Sequence, residues 1–180
     1  MTALRFVIFP AGPSDDRELA EVHVASWRET YRGLLPAAYL ARMSVEAHTR
    51  RWRWSLTHPG PQEITLAAAD RGGLVGYASG GASRTGLAGE GEIHTLYVLR
   101  GAQGRGLGRR LVQASARALA AQGARSLRIS VLRDNANARR FYEHVGGQAE
   151  PPRPEAGPAG VVFEVAYVWP DIGVLTEDES

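Results

Sequence analysis

The stretch from Leu96-Tyr97-Val98-Leu99 into Gln103-Gly104-Arg105-Gly106-Leu107-Gly108 constrains this chain more than any other. An apolar run ends in a loop carrying three glycines in six residues. A helical pattern follows at once, with Leu107, Leu111, Ala114, Ala118 and Ala121 on one stripe. Glycine lets a ligand approach the backbone closely, and the first N–H groups of a helix have no partner within it. A strand feeding a helix through such a loop therefore makes an anion cradle suited to a phosphate or pyrophosphate. Arg105, Arg109 and Arg110 add positive charge at its rim.

Three phosphate-binding patterns compete for this loop. The P-loop requires a lysine before Ser or Thr, and this chain contains no lysine. The dinucleotide fingerprint Gly-x-Gly-x-x-Gly fails because its third glycine falls on Arg109 or Leu111. The pattern Gln/Arg-x-x-Gly-x-Gly/Ala between strand and helix is met by Gln103, Gly106 and Gly108. Downstream, Asn135, Ala138, Tyr142 and Gly146 fit Asn-x-x-Ala-x-x-x-Tyr-x-x-x-Gly. On these two motifs, correctly ordered and spaced, the chain resembles the GCN5-related N-acetyltransferase superfamily over most of its length. The segment Trp27-Arg28-Glu29-Thr30-Tyr31-Arg32-Gly33-Leu34-Leu35-Pro36 resembles one branch of its bacterial members. The chain departs from the pattern at Gly147, where the family usually has Phe, a departure expected to weaken a packing contact more than the chemistry.

Composition sets outer bounds. The 180 residues, 44% hydrophobic and 22% charged, suit one soluble domain spanning 1–180, with an acidic tail over about 174–180. No apolar run reaches the length of a membrane span and no signal pattern opens the chain, so a cytoplasmic protein with no membrane partner is expected. Cysteine is absent, which excludes disulfides and an acyl-cysteine intermediate. The five histidines show no metal-ligand spacing, so no metal is expected. All 21 basic residues are arginine, yet the net charge is only +2, which gives no argument for a nucleic-acid partner. The cluster Arg50-Arg51-Trp52-Arg53-Trp54 reads as arginines snorkelling around a buried Trp face.

Along the chain, strands are expected over 4–9, 63–69, 74–79, 92–99, 126–132 and 161–168. Helices are expected from Ser14 or Asp15 to Tyr31, from Pro36 to Met43, from Ser44 to Leu56, over 107–122 and over 135–145. Asp70-Arg71-Gly72-Gly73 reads as a hairpin turn, Pro151 to Gly160 as a loop, and the tail after Gly173 as frayed. Local hairpins with embedded strand-helix-strand units imply an α/β fold, a mixed sheet covered by helices. The resemblance implies the family's mostly antiparallel sheet, in which two strands splay apart to admit the thioester arm.

That resemblance also implies acetyl-CoA as co-substrate. The cofactor contacts it suggests are Leu96, Tyr97 and Val98 on the strand, Gln103, Gly104, Arg105, Gly106, Leu107, Gly108 and Arg109 in the loop, and Asn135 and Ala138 downstream. Strand alternation would put Glu92, His94, Leu96 and Val98 on one face and Ile93, Thr95, Tyr97 and Leu99 on the other. Glu92, matching the base glutamate of histone-modifying members, is the first candidate for general base, with apolar surroundings expected to raise its pKa. His94, whose type titrates near about 6.5, and a water chain are the alternatives. Tyr142 matches the family's general acid. Trp27 and Tyr31 are candidates to floor the acceptor pocket, or equally to be core. The implied activity is transfer of an acetyl group to the primary amine of a small molecule, by direct attack. Protein N-terminal or lysine acetylation, and a non-catalytic acyl-CoA-binding module, are the alternatives. Family members are often dimers, and Pro151–Gly160 with the last strand is the candidate contact of a homodimer.

Overall fold

In the computed structural model, which describes residues 6–177, the first half of the sheet is an antiparallel meander. It consists of β1 (Val7–Pro10), β2 (Ile64–Asp70), β3 (Gly73–Ala82) and β4 (Glu90–Val98), side by side in that order. The turn from β2 to β3 falls where its composition predicts, and Asp70 Oδ1 accepts the Gly72 N–H at 2.7 Å. The expected start of β1 at Leu4 lies outside the described residues. β5 (Ser126–Leu132) joins β4 in parallel, and β8 (Gly160–Trp169) then pairs antiparallel with β5. Two short strands, β6 (Gln148–Ala149) and β7 (Arg153–Gly157), both pair with β8. The result is a mixed, mostly antiparallel sheet of eight strands.

The helices are α1 (Asp16–Thr30), α2 (Ala37–Ala41), α3 (Val45–Thr57), α4 (Leu107–Ala121), α5 (Ala136–His144) and α6 (Gly173–Thr176). Ser44 caps α3 by accepting the Ala47 N–H at 3.2 Å, and Asn135 caps α5 by accepting the Ala138 N–H at 3.2 Å. Alternation in β2 divides the two layers. Leu66 and Ala68 meet Leu107 and Leu111 of α4, whereas Ala67 lies with Tyr77 under Leu19 and Val22 of α1. Further along, Val112, Ala116 and Leu119 of α4 pack on Ile93, Leu127 and Ile129. Each large apolar side chain so buried stabilises the fold by about 1.5–3 kcal/mol. No helix among the described residues is long and apolar enough to cross a membrane.

Four expectations need correction. Pro151–Gly160 is not a loop throughout: Gly157 pairs with Gly160 across a two-residue turn, so β7 and β8 form a hairpin. Pro154 is tolerated because β7 has a partner on one side only, and a missing N–H costs an edge strand nothing. The segment after Gly173 is not wholly frayed, since Ile172 and Leu175 are buried in the α4 cluster; residues 178–180 lie outside the described ones. The two tryptophans of α3 do not share a buried face. Two residues apart on a helix they point about 200° apart, so Trp52 meets Tyr77 edge-on at 5.1 Å while Trp54 is exposed and stacks on His58. Finally, Gly147 is a packing solution rather than a lost contact. A Cβ there would lie 2.9 Å from Trp169 Cζ2 and 3.0 Å from the Tyr142 carbonyl oxygen. The Trp169 indole fills that space and donates to the Val145 carbonyl at 3.0 Å.

Candidate active site

The site grows from an irregularity in β4. Ser79 pairs with Thr95 but Gly80 pairs with Ile93, which leaves His94 as the extra residue of a β-bulge. Opposite it only glycine fits, because a Cβ on Gly80 would lie 2.4 Å from the Glu92 carbonyl oxygen. The bulge also resets the alternation. Ile93 and Leu96 pack in the same cluster beneath α4 and α5, while Tyr97 and Leu99 pack beneath α1. The expectation that Glu92 shares a face with Leu96 and Val98 is therefore wrong: Glu92 lies on the face opposite Ile93.

Beyond the bulge the two central strands part. The β4–β5 ladder runs from Glu90–Ser126 to Ile93–Ile129 and ends there. From Thr95 onward β4 pairs with β3 alone, and from Ser130 onward β5 pairs with β8 alone. Leu99 donates its N–H to the Val75 carbonyl at 2.9 Å, so alternation turns Thr95 and Tyr97 towards β3 and leaves the polar backbone groups of Leu96 and Val98 facing the gap. Gln103 reaches back to donate its Nε2–H to the Val98 carbonyl at 2.8 Å, tying the glycine loop to the strand.

That loop has the geometry an anion needs. Gly106 precedes α4 at φ +76° and Gly104 sits at φ +71°, backbone conformations that favour glycine, with nothing within 4 Å of where either Cβ would be. Arg110 N–H bonds the Gly106 carbonyl, so the N–H groups of Leu107 and Gly108 precede the first intrahelical donor. The side chain of Leu107 is buried in the core, and Gly108 abuts the Phe141 ring, 3.1 Å from the position of a Cβ. Arg105 is exposed at the rim and Arg109 half-buried. Asn135 is buried and Ala138 half-buried at the start of α5. The residues present fit a pyrophosphate at the loop and an extended amide chain along the gap.

The proton-handling candidates differ in state. Glu92 is 1% exposed, yet its pKa is not raised. Burial pushes it up, but Arg84 overcomes burial and holds it below the usual carboxylate range. Arg84 donates Nε–H at 2.9 Å and Nη2–H to Oε1, and its backbone N–H to Oε2 at 2.8 Å. The expected direction for Glu92 is thus reversed. A second network braces the strand beneath it: Arg128 contacts Glu90 at 3.2 Å and Glu150 at 2.9 Å. His94 makes a long contact to the Ala82 carbonyl, 3.4 Å, and lines the adjoining cavity. Tyr142 is 5% exposed, and burial, then Tyr31, push its phenol far above the ordinary tyrosine value, so it keeps its proton at neutral pH.

Trp27 and Tyr31 project from the end of α1 and pack together, with ring centroids 4.7 Å apart. Tyr31 and Tyr97 share a hydroxyl contact of 3.1 Å at the gap. Of the two, Trp27 lines a cavity of about 400 Å³ that reaches His94 and Thr95. Sequence reasoning missed Arg84, Glu164 and most of that cavity. Arg84 could have been found by extending the β3–β4 hairpin register, in which Ala82 pairs with Gly91. Glu164 lies on β8 opposite Leu132, on the same sheet face as Glu92. Burial, then Glu155, raises its pKa. Nothing in its local sequence marks it.

Comparisons with known proteins agree with this geometry. The sequence model of the Acetyltransferase (GNAT) family matches residues 20–147. The chain is 32% identical over 167 residues to the uncharacterized N-acetyltransferase YuaI of Bacillus subtilis, an alignment covering 89% of this chain and 91% of the relative. A shorter stretch of 56 residues is 48% identical to a mycothiol acetyltransferase of Beutenbergia cavernae, covering 31% of this chain and 19% of that one. Among solved structures, the PaiA N-acetyltransferase of Thermoplasma acidophilum in complex with coenzyme A superposes with a TM-score of 0.69 at 20% identity, over 90% of this chain and 98% of the other. The yncA protein of Salmonella typhimurium, with its cofactor acetyl-CoA, gives a TM-score of 0.69 at 18% identity over 98% and 96%.

Proposed function

We propose that this chain, which belongs to the acetyltransferase (GNAT) family, moves an acetyl group from acetyl-CoA to the primary amine of a small molecule, with both substrates held at one site. The observation that carries this reading is the open edge of β4 at Leu96 and Val98, with the glycine cradle at one end and an aromatic-lined cavity at the other. A cavity of about 400 Å³ suits a small acceptor better than an extended peptide.

Acetyl-CoA supplies the activated acetyl group. The chain's part is positioning and proton transfer. The loop glycines and the first turn of α4 take the pyrophosphate, Arg105 and Arg109 its remaining charge, and the open backbone of Leu96 and Val98 the amides of the arm. Holding both reactants in one cleft supplies much of the rate. As the amine nitrogen bonds to the acetyl carbon and the carbon–sulfur bond breaks, one proton leaves nitrogen and one reaches sulfur. His94, at the bulge and facing the cavity, takes the first. Tyr142, protonated at neutral pH, gives the second. Glu92 acts as the partner that fixes Arg84 rather than as the base. With no cysteine in the chain no acetyl-cysteine intermediate can form, which favours direct transfer.

Steady-state assays with acetyl-CoA and a panel of amines test this. His94→Gln and Tyr142→Phe should each lower kcat by about 10²-fold with little change in acetyl-CoA affinity. Full turnover in both variants would remove the assignment. Transfer to peptide N-termini in preference to every free amine would move the reading to a protein acceptor.

A further inference from the structure

The cavity beside the bulge has a composition that the transfer reaction alone does not require. Its walls are Trp27 of α1, Tyr39 of α2 and Trp52 of α3, and its floor is Tyr77 of β3. The rings are packed against one another rather than scattered: His23 stacks on Trp27 at 5.4 Å and lies 4.5 Å from His48, while Trp52 meets Tyr77 at 5.1 Å. Some of its polar atoms are already paired internally, whereas the buried Trp27 Nε1 has no hydrogen-bond partner among the described residues. His23 Nδ1 shares a hydrogen bond with the Tyr77 hydroxyl at 2.6 Å, and Ser79 shares one with Thr95 at 2.6 Å.

Two charged side chains line it, Arg51 and Glu63. His23 reports the potential inside. Burial, then His48, then Arg51 lower its pKa from 6.5 to about 4, so a cation is opposed beside His23 and Arg51, while the Glu63 carboxylate lines another part of the cavity. A second ammonium seated beside Arg51 would meet the same opposition. An uncharged ring would instead bury its faces against Trp27, Tyr39 and Trp52.

We propose that this cavity is the acceptor subsite, and that it takes primary monoamines with an uncharged aromatic body while disfavouring polyamines. The proposal rests on the acetyltransfer reading of the site. Selection would come from the aromatic walls, and discrimination from Arg51, which is exposed on α3 and can be changed without opening the core.

The test measures binding by tryptophan fluorescence and calorimetry without acetyl-CoA, using phenethylamine and spermidine, and then measures kcat/KM for both with acetyl-CoA. Phenethylamine should bind and react at least about tenfold better than spermidine, and Arg51→Glu should narrow that preference by about tenfold. Tyr39→Leu should weaken phenethylamine and leave spermidine unchanged. Preference for spermidine in the unaltered protein, or a preference untouched by Arg51→Glu, would overturn the subsite while leaving acetyl transfer standing. Selective phenethylamine binding without any transfer would support the subsite and count instead against the proposed reaction.

Discussion

Replacing Arg84 by Met would leave the Glu92 carboxylate inside the protein without its cation. The Glu92 side chain is 2% exposed and that of Arg84 66%. Removing one partner of a fully buried pair costs about 3–5 kcal/mol, because the other charge stays buried and uncompensated. Here the guanidinium is largely in solvent, which screens its contribution, so a loss of about 1–3 kcal/mol is expected. Glu92 keeps one good donor, the residue 84 backbone N–H at 2.8 Å, which sets the lower end of that range; the Ser83 hydroxyl proton is held by Glu90 at 2.6 Å. The sign with pH is fixed by linkage. In the unaltered protein the Glu92 pKa is below its ordinary 4.5, so its contribution to stability is present above that value and is lost as pH falls through the folded pKa. In Arg84→Met the folded pKa rises, so the penalty is largest at neutral pH and shrinks as acid protonates Glu92. Urea unfolding of both proteins at about pH 7.5 and about pH 5 measures this directly. A loss smaller than about 0.5 kcal/mol, or one that does not shrink with acid, would refute the claim that Arg84 holds Glu92 ionised.

Two further predictions follow from packing and burial. Gly147→Phe should destabilise by about 1–3 kcal/mol or more through overpacking against Trp169, and Trp169→Val should recover part of that loss in the double variant although it is harmful alone; additive losses in a thermal-unfolding cycle would show that the two do not share the space. His23, with its folded pKa at about 4 against 6.5 unfolded, contributes stability that is complete above the unfolded value and is lost as pH falls between the two. The loss should reach about 3 kcal/mol below the lower value, and a His23→Gln protein should show a correspondingly flatter acid limb; equal slopes in denaturant titrations would contradict it.

What the sequence disclosed and what it hid divide by range. The junction of β4, the glycine loop and α4 was legible because strand, left-handed glycines and amphipathic helix are contiguous in the chain. The Asn135 cap and the β2–β3 turn were legible for the same reason. The bulge at His94 was not, because it exists only in the register of β3 against β4, and it moved Glu92 to the other face. The ion pair of Glu92 was hidden with it, since Arg84 sits in a stretch of small polar residues that reads as a plain loop. The β7–β8 hairpin was obscured by Pro154, which a one-sided strand tolerates. The cavity draws on α1, α2, α3 and three strands, β2, β3 and β4, so no local pattern could announce it.

Acetyl-CoA binding tests the central claim most directly. Calorimetric titration should show one-to-one binding in the micromolar range, abolished by Gly106→Glu. That change puts a side chain at φ +76° and a negative charge at the cradle, at a folding cost of only about 1–2 kcal/mol. Absence of binding to the unaltered protein, or undiminished binding to a folded Gly106→Glu variant, would contradict the placement of the cofactor at this loop.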